Sequence, residues 1–249
     1  MYNKVKTPEE IEAIRESGRM LATVLAKVES SLAVGVTGLE IDAIAASELR
    51  KLGGKPAFLG YQGFPNSICI SVNDAVVHGI PNNTPFKDGD IVGFDFGVIY
   101  KGMITDAART FVIGDSDTKK DALLKATKRS LDDAIMHVKD GCRIGDISAA
   151  AQAPLDAGSY GNVRDLVGHG VGHHVHEEPE VPNQGSPGTG PTLKAGMTIA
   201  IEPMSTMGDY KVVIDPDGWT IRTRDGSLSA HFEDTILVTR DGAEILTRI

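Results

Sequence analysis

Asp95 and Asp106 are the residues from which a chemistry can be argued. Each is a single carboxylate inside a run that otherwise reads as apolar strand, Ile91 to Ile99 for the first and Met103 to Val112 for the second. Burying a carboxylate is costly unless it is paired or holds a metal. Two of them on the arms of one β-hairpin repel, so a positive charge must lie between them. A divalent cation, and more readily two, would supply it. A two-residue turn at Tyr100-Lys101 would set position 95 directly opposite 106, with both side chains on one face. Gly102 instead suggests a three-residue turn, Tyr100-Lys101-Gly102, which slips the register by one and needs a further bulge to restore it. The sequence leaves both registers open.

Two further acids sit in comparable places. Glu202 closes the apolar run Thr198 to Ile201, and Glu233 lies in the alternating run Ala230 to Val238, read here as the last strand. Of the histidines, His169 lies between two glycines, where backbone can approach closely, and is the ligand candidate. His176, seven residues on, could ligate, handle a proton or support an oxyanion. His78 stands at a strand end before a Pro-Asn-Asn loop. His173 and His174 are adjacent and point apart if extended, so each reads as a satisfied surface or supporting group. His137 reads as structural, and His231, two residues from Glu233, is placed to support it. Four carboxylates with one imidazole form a mostly hard, oxygen-rich set. It suits a close pair of manganese, iron(II), cobalt or zinc ions and is poor for a structural zinc. Two such ions bracket a water, lower its pKa and polarise a carbonyl, which points to hydrolysis of an amide or ester.

The elements that must position these groups show an echo. GVTGLEIDAIA from Gly35 aligns with GCRIGDISAAA from Gly141, and KDGDIVGFD from Lys87 with KAGMTIAIE from Lys194. The second match stacks Asp95 on Glu202. With an insertion allowed, TDAARTFVI against FEDTILVT stacks Asp106 on Glu233; His78-Gly79 echoes His169-Gly170 more weakly. The chain therefore reads as one catalytic domain over 1–249, with an internal repeat whose halves run roughly 1–115 and 116–249. Four amphipathic helices are expected. The first begins at the capping box Thr7-Pro8-Glu9-Glu10 and runs to about Leu32, and the second runs from Thr37 or Gly38 to about Leu52. The third spans Ser116 to Val138. The fourth spans Ile144 to Ala157, with Pro154 expected to kink it or end it early.

Composition sets the outer limits. The chain has 249 residues, 41% hydrophobic and 24% charged, with a net charge of −9. That is an ordinary composition able to bury a sizeable core, and the acidity argues against a broad grip on nucleic acid. Two widely spaced cysteines, Cys69 and Cys142, suggest reduced thiols. No run reaches membrane-spanning length, and the first residues carry no apolar secretory core, so a cytoplasmic protein is expected.

The motifs TPEEIEAIRESGRMLATVL, ICISVNDAVVHGIP, DIVGFDFGVIYKGMITDAARTF, GHGVGHHVHEEP, GMTIAIEPM and DGWTIRTRDGSLSAHFEDTILVT together resemble the type I methionine aminopeptidases over nearly the whole chain. The resemblance implies an α+β pita-bread fold: two pseudo-symmetric halves and a curved antiparallel sheet with helices on its outer face. It implies Asp95, Asp106, His169, Glu202 and Glu233 as ligands of two metals, Asp106 and Glu233 bridging, with Glu202 also shuttling the proton of the attacking water. It implies His78 and His176 as substrate-contacting histidines and Tyr61, Phe64, Cys69 and Trp219 as lining of a methionine pocket. Asn73 and Ser229 fall where some members bind a monovalent cation. The implied substrates are N-terminal Met peptides and nascent chains whose second residue is small. A ribosome contact is left open, and the expected state is a monomer that binds no membrane and does not act on nucleic acid. A narrow site for the second residue predicts that Met1, before bulky Tyr2, is retained. The chain departs from the pattern at Phe58, where some bacterial members have cysteine, and at Phe64, where many have tyrosine. It departs also at Val175, where phenylalanine is common, and at Gly97, where a small or branched residue is usual. The alternatives are an Xaa-Pro dipeptidase or aminopeptidase P, which share the metal set but normally carry another domain, and a non-catalytic pita-bread interaction protein, which would have lost ligands.

Overall fold

The computed structural model describes residues 5–249; Met1 and Tyr2 lie outside the described residues. The helices are α1 (Pro8–Glu29), α2 (Gly38–Leu52), α3 (Thr118–Ile135) and α4 (Ile144–Ala157). Both helices of the first half start on a complete capping box: Thr7 with Glu10 and Thr37 with Glu40 each satisfy two otherwise unpaired backbone donors. Gly53, at φ 86°, closes α2 in the left-handed conformation that glycine adopts without strain. Asp117 caps α3, one residue after the start read from sequence, and α1 ends three residues earlier than read. Pro154 lies in the last turn of α4, and the helix continues to Ala157, so the proline does not end it early.

The strands are β1 (Lys55–Pro56), β2 (Ile68–Val72), β3 (Ala75–Val77), β4 (Ile91–Tyr100), β5 (Met103–Val112), β6 (Gly161–Asn162), β7 (Gly168–Gly170), β8 (Glu177–Val181), β9 (Thr198–Ile201), β10 (Met204–Thr206), β11 (Val212–Ile214), β12 (Ile221–Thr223), β13 (Ser229–His231), β14 (Asp234–Val238) and β15 (Ala243–Ile245). In the first half β4 pairs with β5 on one side and with β2 and β1 on the other; in the second half the order is β15-β14-β9-β7-β8, all antiparallel. The order β5-β4-β2 is thus matched by β14-β9-β7. Two smaller sheets, β13-β10-β6 and β11-β12-β3, complete the fold. The half-sheets meet at β5 and β14, where Ala108 and Glu233 exchange backbone hydrogen bonds of 3.3 and 3.0 Å. Thr235 Oγ1 extends the seam by accepting from Asp106 N and donating to Asp106 O.

The helices cover one face. Val92, Phe94, Phe96 and Val98 of β4 pack with Leu21, Val24 and Leu25 of α1 and Ile41, Ala45 and Leu49 of α2. Ile199, Ile201, Ile236 and Val238 pack with Leu131 and Ile135 of α3 and Ile147 and Ala151 of α4. Strand alternation then turns Asp95, Gly97 and Ala200 to the opposite face.

The register settles the open question of the hairpin. Tyr100 pairs with Met103, so the turn is Lys101-Gly102, both with positive φ. Asp95 faces Ala108 and Asp106 faces Gly97. The two acids are therefore not directly opposite; they are diagonal neighbours on one face, a spacing across which side chains still interact. Two further differences appear. The expected last strand is split into β13 and β14 at Phe232-Glu233, because the chain there changes partner from β10 to β9. The weak echo of His78 by His169 has no counterpart in topology: His169 lies in β7, the partner of β9, whereas His78 follows β3 in another sheet.

Candidate metal centre

Each carboxylate is held by a different structural device. Asp95 and Asp106 lie in mid-strand on β4 and β5, where register fixes them. Glu202 lies at the break between β9 and β10, and Glu233 at the break between β13 and β14. Extending the β9–β14 register from Asp234↔Ile201 places Glu202 opposite Glu233. His169 enters from β7, where it pairs with Ala200. Its Nδ1–H donates to Gly170 O at 2.9 Å, so the bare Nε2 faces inward, 3.3 Å from Glu202 Oε1. One ligand atom from each of Asp106, His169 and Glu233 lies within 4.8 Å of the others. Asp95 joins as the diagonal neighbour of Asp106 on the same face.

The electrostatics define what these groups can hold. Burial pushes the Asp95 carboxyl up to about 7. Burial, then the neighbouring acids, raises Asp106, Glu202 and Glu233 well above the ordinary carboxylate range. Burial, with His176 adding repulsion, pulls His169 down to about 3. Among the described residues, no lysine or arginine pairs with any of the four acids. Arg109, nearby, is committed to Asp234 and to backbone carbonyls. Asp95 Oδ1, Asp106 Oδ1 and Glu233 Oε1 are buried without a hydrogen-bond partner. Buried acceptors of this kind are rare in native proteins. Converging oxygen donors, an imidazole with its lone pair turned inward and uncompensated charge together fit divalent cations.

The centre forms the floor of a cavity of ≈ 220 Å³. Phe58, Tyr61, Phe64, Cys69, Val175 and Trp219 make its apolar wall, and His78 and His176 its polar rim. Phe64 and Trp219 meet edge to face with centroids 5.1 Å apart. Tyr61 OH lies 3.0 Å from His176 Nδ1, and the His176 ring is 4.3 Å from that of His169. Cys69 pairs directly across from Asp95. Burial and the adjacent acids raise its thiol well above the usual value, so it serves as neutral wall. All residues named from the sequence for the metal and substrate sites thus converge. Asn73 and Ser229 are also neighbours, Ser229 N and Oγ both donating to Asn73 O.

The remaining histidines divide as the sequence suggests. His137 is exposed and bonded to Asp133 O, while His173 is half-buried against Glu10. Sequence reasoning missed three features. Gln62 joins the cavity lining, in the left-handed region at φ 47°. Phe58 and Gly97 prove to be one feature, because a Cβ at 97 would lie 2.7 Å from Phe58 Cε1 and 2.8 Å from Ala57 Cβ. Lys6 and Glu177 form an ion pair of 3.0 Å with side chains 0% and 2% exposed. The same Glu177 accepts from the backbone N–H groups of His173 and His174, fixing the loop that carries His176. No short-range signal could reveal that contact.

Comparison with known proteins agrees with this geometry. The model of metallopeptidase family M24 matches residues 12–240. A methionine aminopeptidase of Clostridium perfringens is 45% identical over 245 residues, covering 98% of both chains. Methionine aminopeptidase 1 of Bacillus subtilis is 42% identical, with 98% of each chain covered. The crystal structure of methionine aminopeptidase from Thermotoga maritima superposes with a TM-score of 0.97 at 45% identity, covering 99% of both chains. Prolidase from Pyrococcus furiosus gives 0.79 at 25% identity, and this chain covers 66% of it. The chain belongs to metallopeptidase family M24, among its methionine aminopeptidases.

Proposed function

We propose that the protein removes the N-terminal methionine from peptides and nascent chains whose second residue is small, acting in the cytoplasm as a monomer. The observation that carries this reading is the join of a charged floor to an apolar pocket closed by Phe64 and Trp219. The pocket is the right size and polarity for one unbranched thioether side chain. Asp95, Asp106, His169, Glu202 and Glu233 would hold two divalent cations. Cobalt, manganese, iron(II) and zinc all suit these donors. When bound, the cations lower the pKa of the attacking water and polarise the scissile carbonyl.

The chain's own groups supply the rest. Glu202 accepts the proton of the attacking water on a carboxylate oxygen and passes it to the departing amine. Desolvation at the cavity mouth lowers the His176 imidazole below its ordinary value, which favours the neutral form. With the Tyr61 hydroxyl donating to Nδ1, the proton of His176 sits on Nε2, where it can be donated to the developing oxyanion. His78, pulled down to about 4 by burial, is likewise neutral and can donate to the scissile amide region. The wall of Tyr61, Phe64, Cys69 and Trp219 takes the methionine side chain. A monovalent cation near Asn73 and Ser229 would brace the β3–β13 junction. The two halves are read as a duplicated unit, supported by the matching orders β5-β4-β2 and β14-β9-β7.

A peptide panel tests the proposal. Metal-loaded protein should release methionine from Met-Ala-Ser, and Glu202→Gln should abolish this. Preferential cleavage of Xaa-Pro dipeptides would assign the prolidase activity instead, and no cleavage of either substrate would leave a non-catalytic protein.

A further inference from the structure

His231, among the described residues, stands against the carboxylates of the centre with no task in the proposed reaction. Its side chain is 4% exposed, and its Nε2 is buried without a hydrogen-bond partner. That nitrogen points at two carboxylates, 3.7 Å from Glu202 Oε2 and 3.9 Å from Glu233 Oε2. The placement is rigid. His231 N–H donates to Thr110 Oγ1 and the Thr110 hydroxyl donates to His231 O, while β13 pairs His231 with Met204. Glu202 therefore stands between two imidazoles, with His169 Nε2 at 3.3 Å from Oε1 and His231 Nε2 beyond Oε2.

The two imidazoles differ in what they can offer. The Nδ1–H of His169 is used on Gly170 O, leaving Nε2 as a lone pair. For His231, a lone pair aimed at two carboxylate oxygens would be repelled, whereas an N–H aimed at them is attracted. We infer that His231 is a positioning residue: as the Nε2–H tautomer it turns its N–H toward Glu202 Oε2 across 3.7 Å, biasing the rotation of that carboxylate by charge–dipole attraction and leaving its other oxygen for a cation. The inference rests on the proposed metal role of Glu202 and adds the group that aims it. Supporting groups of this kind typically change metal affinity about ten- to hundredfold when removed.

The test separates this from a general structural role. Chelator-stripped protein is titrated with manganese(II), and the dissociation constant is compared for the parent, His231→Leu and His231→Gln. The parent should bind manganese. His231→Leu should weaken binding by about ten- to hundredfold, and His231→Gln, which restores an N–H donor, should return it to near the parent value. Electron spin-echo spectroscopy of the manganese-loaded parent should show one coupled imidazole, that of His169. Unchanged affinity in His231→Leu, or equal loss in both variants, would overturn the inference. So would a second coupled imidazole that disappears in His231→Gln, since it would make His231 a ligand. Should the leucine variant fail to fold, the parent spectrum and the glutamine variant still decide. If even the parent binds no manganese at Glu202, the metal reading itself fails, a result distinct from all of these.

Discussion

Alanine at position 97 should narrow the substrate cavity at its Phe58 wall. Gly97 faces the cavity side of β4, and its missing side chain is the space into which Phe58 packs. An added Cβ would lie 2.7 Å from Phe58 Cε1, 3.1 Å from Phe58 Cζ and 2.8 Å from Ala57 Cβ. Comfortable carbon contacts are about 3.5–4.0 Å, so the overlap is roughly 1 Å. Ala57 cannot retreat, because its N–H donates to Gly97 O at 2.8 Å. The Phe58 ring must move, and the cavity of ≈ 220 Å³ that it walls lies open to it. Overpacking of this kind costs about 1–3 kcal/mol, equivalent to a fall of roughly 2–12 °C in melting temperature for a chain this long. Gly97→Ala should therefore lower kcat/KM for Met-Ala-Ser mainly through KM, and melt earlier. The double variant Gly97→Ala with Phe58→Leu should recover both. Calorimetry and steady-state kinetics on the three proteins check this. An unchanged KM in Gly97→Ala, or no recovery in the double variant, would refute the link between the two residues.

Three other outcomes follow from the same geometry. Lys6→Met leaves the Glu177 carboxylate buried without its cation; breaking a buried ion pair costs about 3–5 kcal/mol, readable by chemical denaturation, and an effect below 1 kcal/mol would contradict the assigned burial. Removing metal by chelation should make stability fall as pH rises from about 6.5 to 8. Asp95, raised to about 7, favours the folded state while protonated, and that contribution is lost as pH climbs through the raised value. The effect is roughly 1 kcal/mol from Asp95 alone, with Asp106, Glu202 and Glu233 adding in the same direction. His78, His169 and His231, neutral in the fold at values of about 3 to 4, are partly protonated when unfolded near pH 6.5, so they oppose the fall at that end of the window and cease to toward pH 8. A flat melting profile for stripped protein would contradict the prediction. Tyr61→Phe removes the hydroxyl bonded to His176 Nδ1 and should reduce kcat with little change in melting temperature, whereas an unaltered kcat would remove the tautomer assignment.

Much of the site was legible because its signals are local. A lone acid in an apolar run, an acid closing such a run and a histidine between glycines can each be read within a few residues. The helix starts at Thr7 and Thr37 are likewise written within four residues each. What escaped depends on distant partners. The hairpin register turned on whether Lys101 would accept a positive φ beside Gly102, which it does. The break at Glu233 arises because the strand changes neighbours, a tertiary event invisible to its own alternation. Phe58 and Gly97 each looked like an isolated departure until the fold placed one in the space of the other. The buried Lys6–Glu177 pair joins residues 171 positions apart.

The central claim is that five side chains from both halves converge because cations neutralise them. Anomalous diffraction at the manganese edge from crystals soaked in manganese(II) tests it most directly. The account predicts two peaks at the seam of β5 and β14, within ligand distance of Asp95, Asp106, His169, Glu202 and Glu233. An empty seam at saturating manganese, or peaks coordinated by other residues, would contradict it.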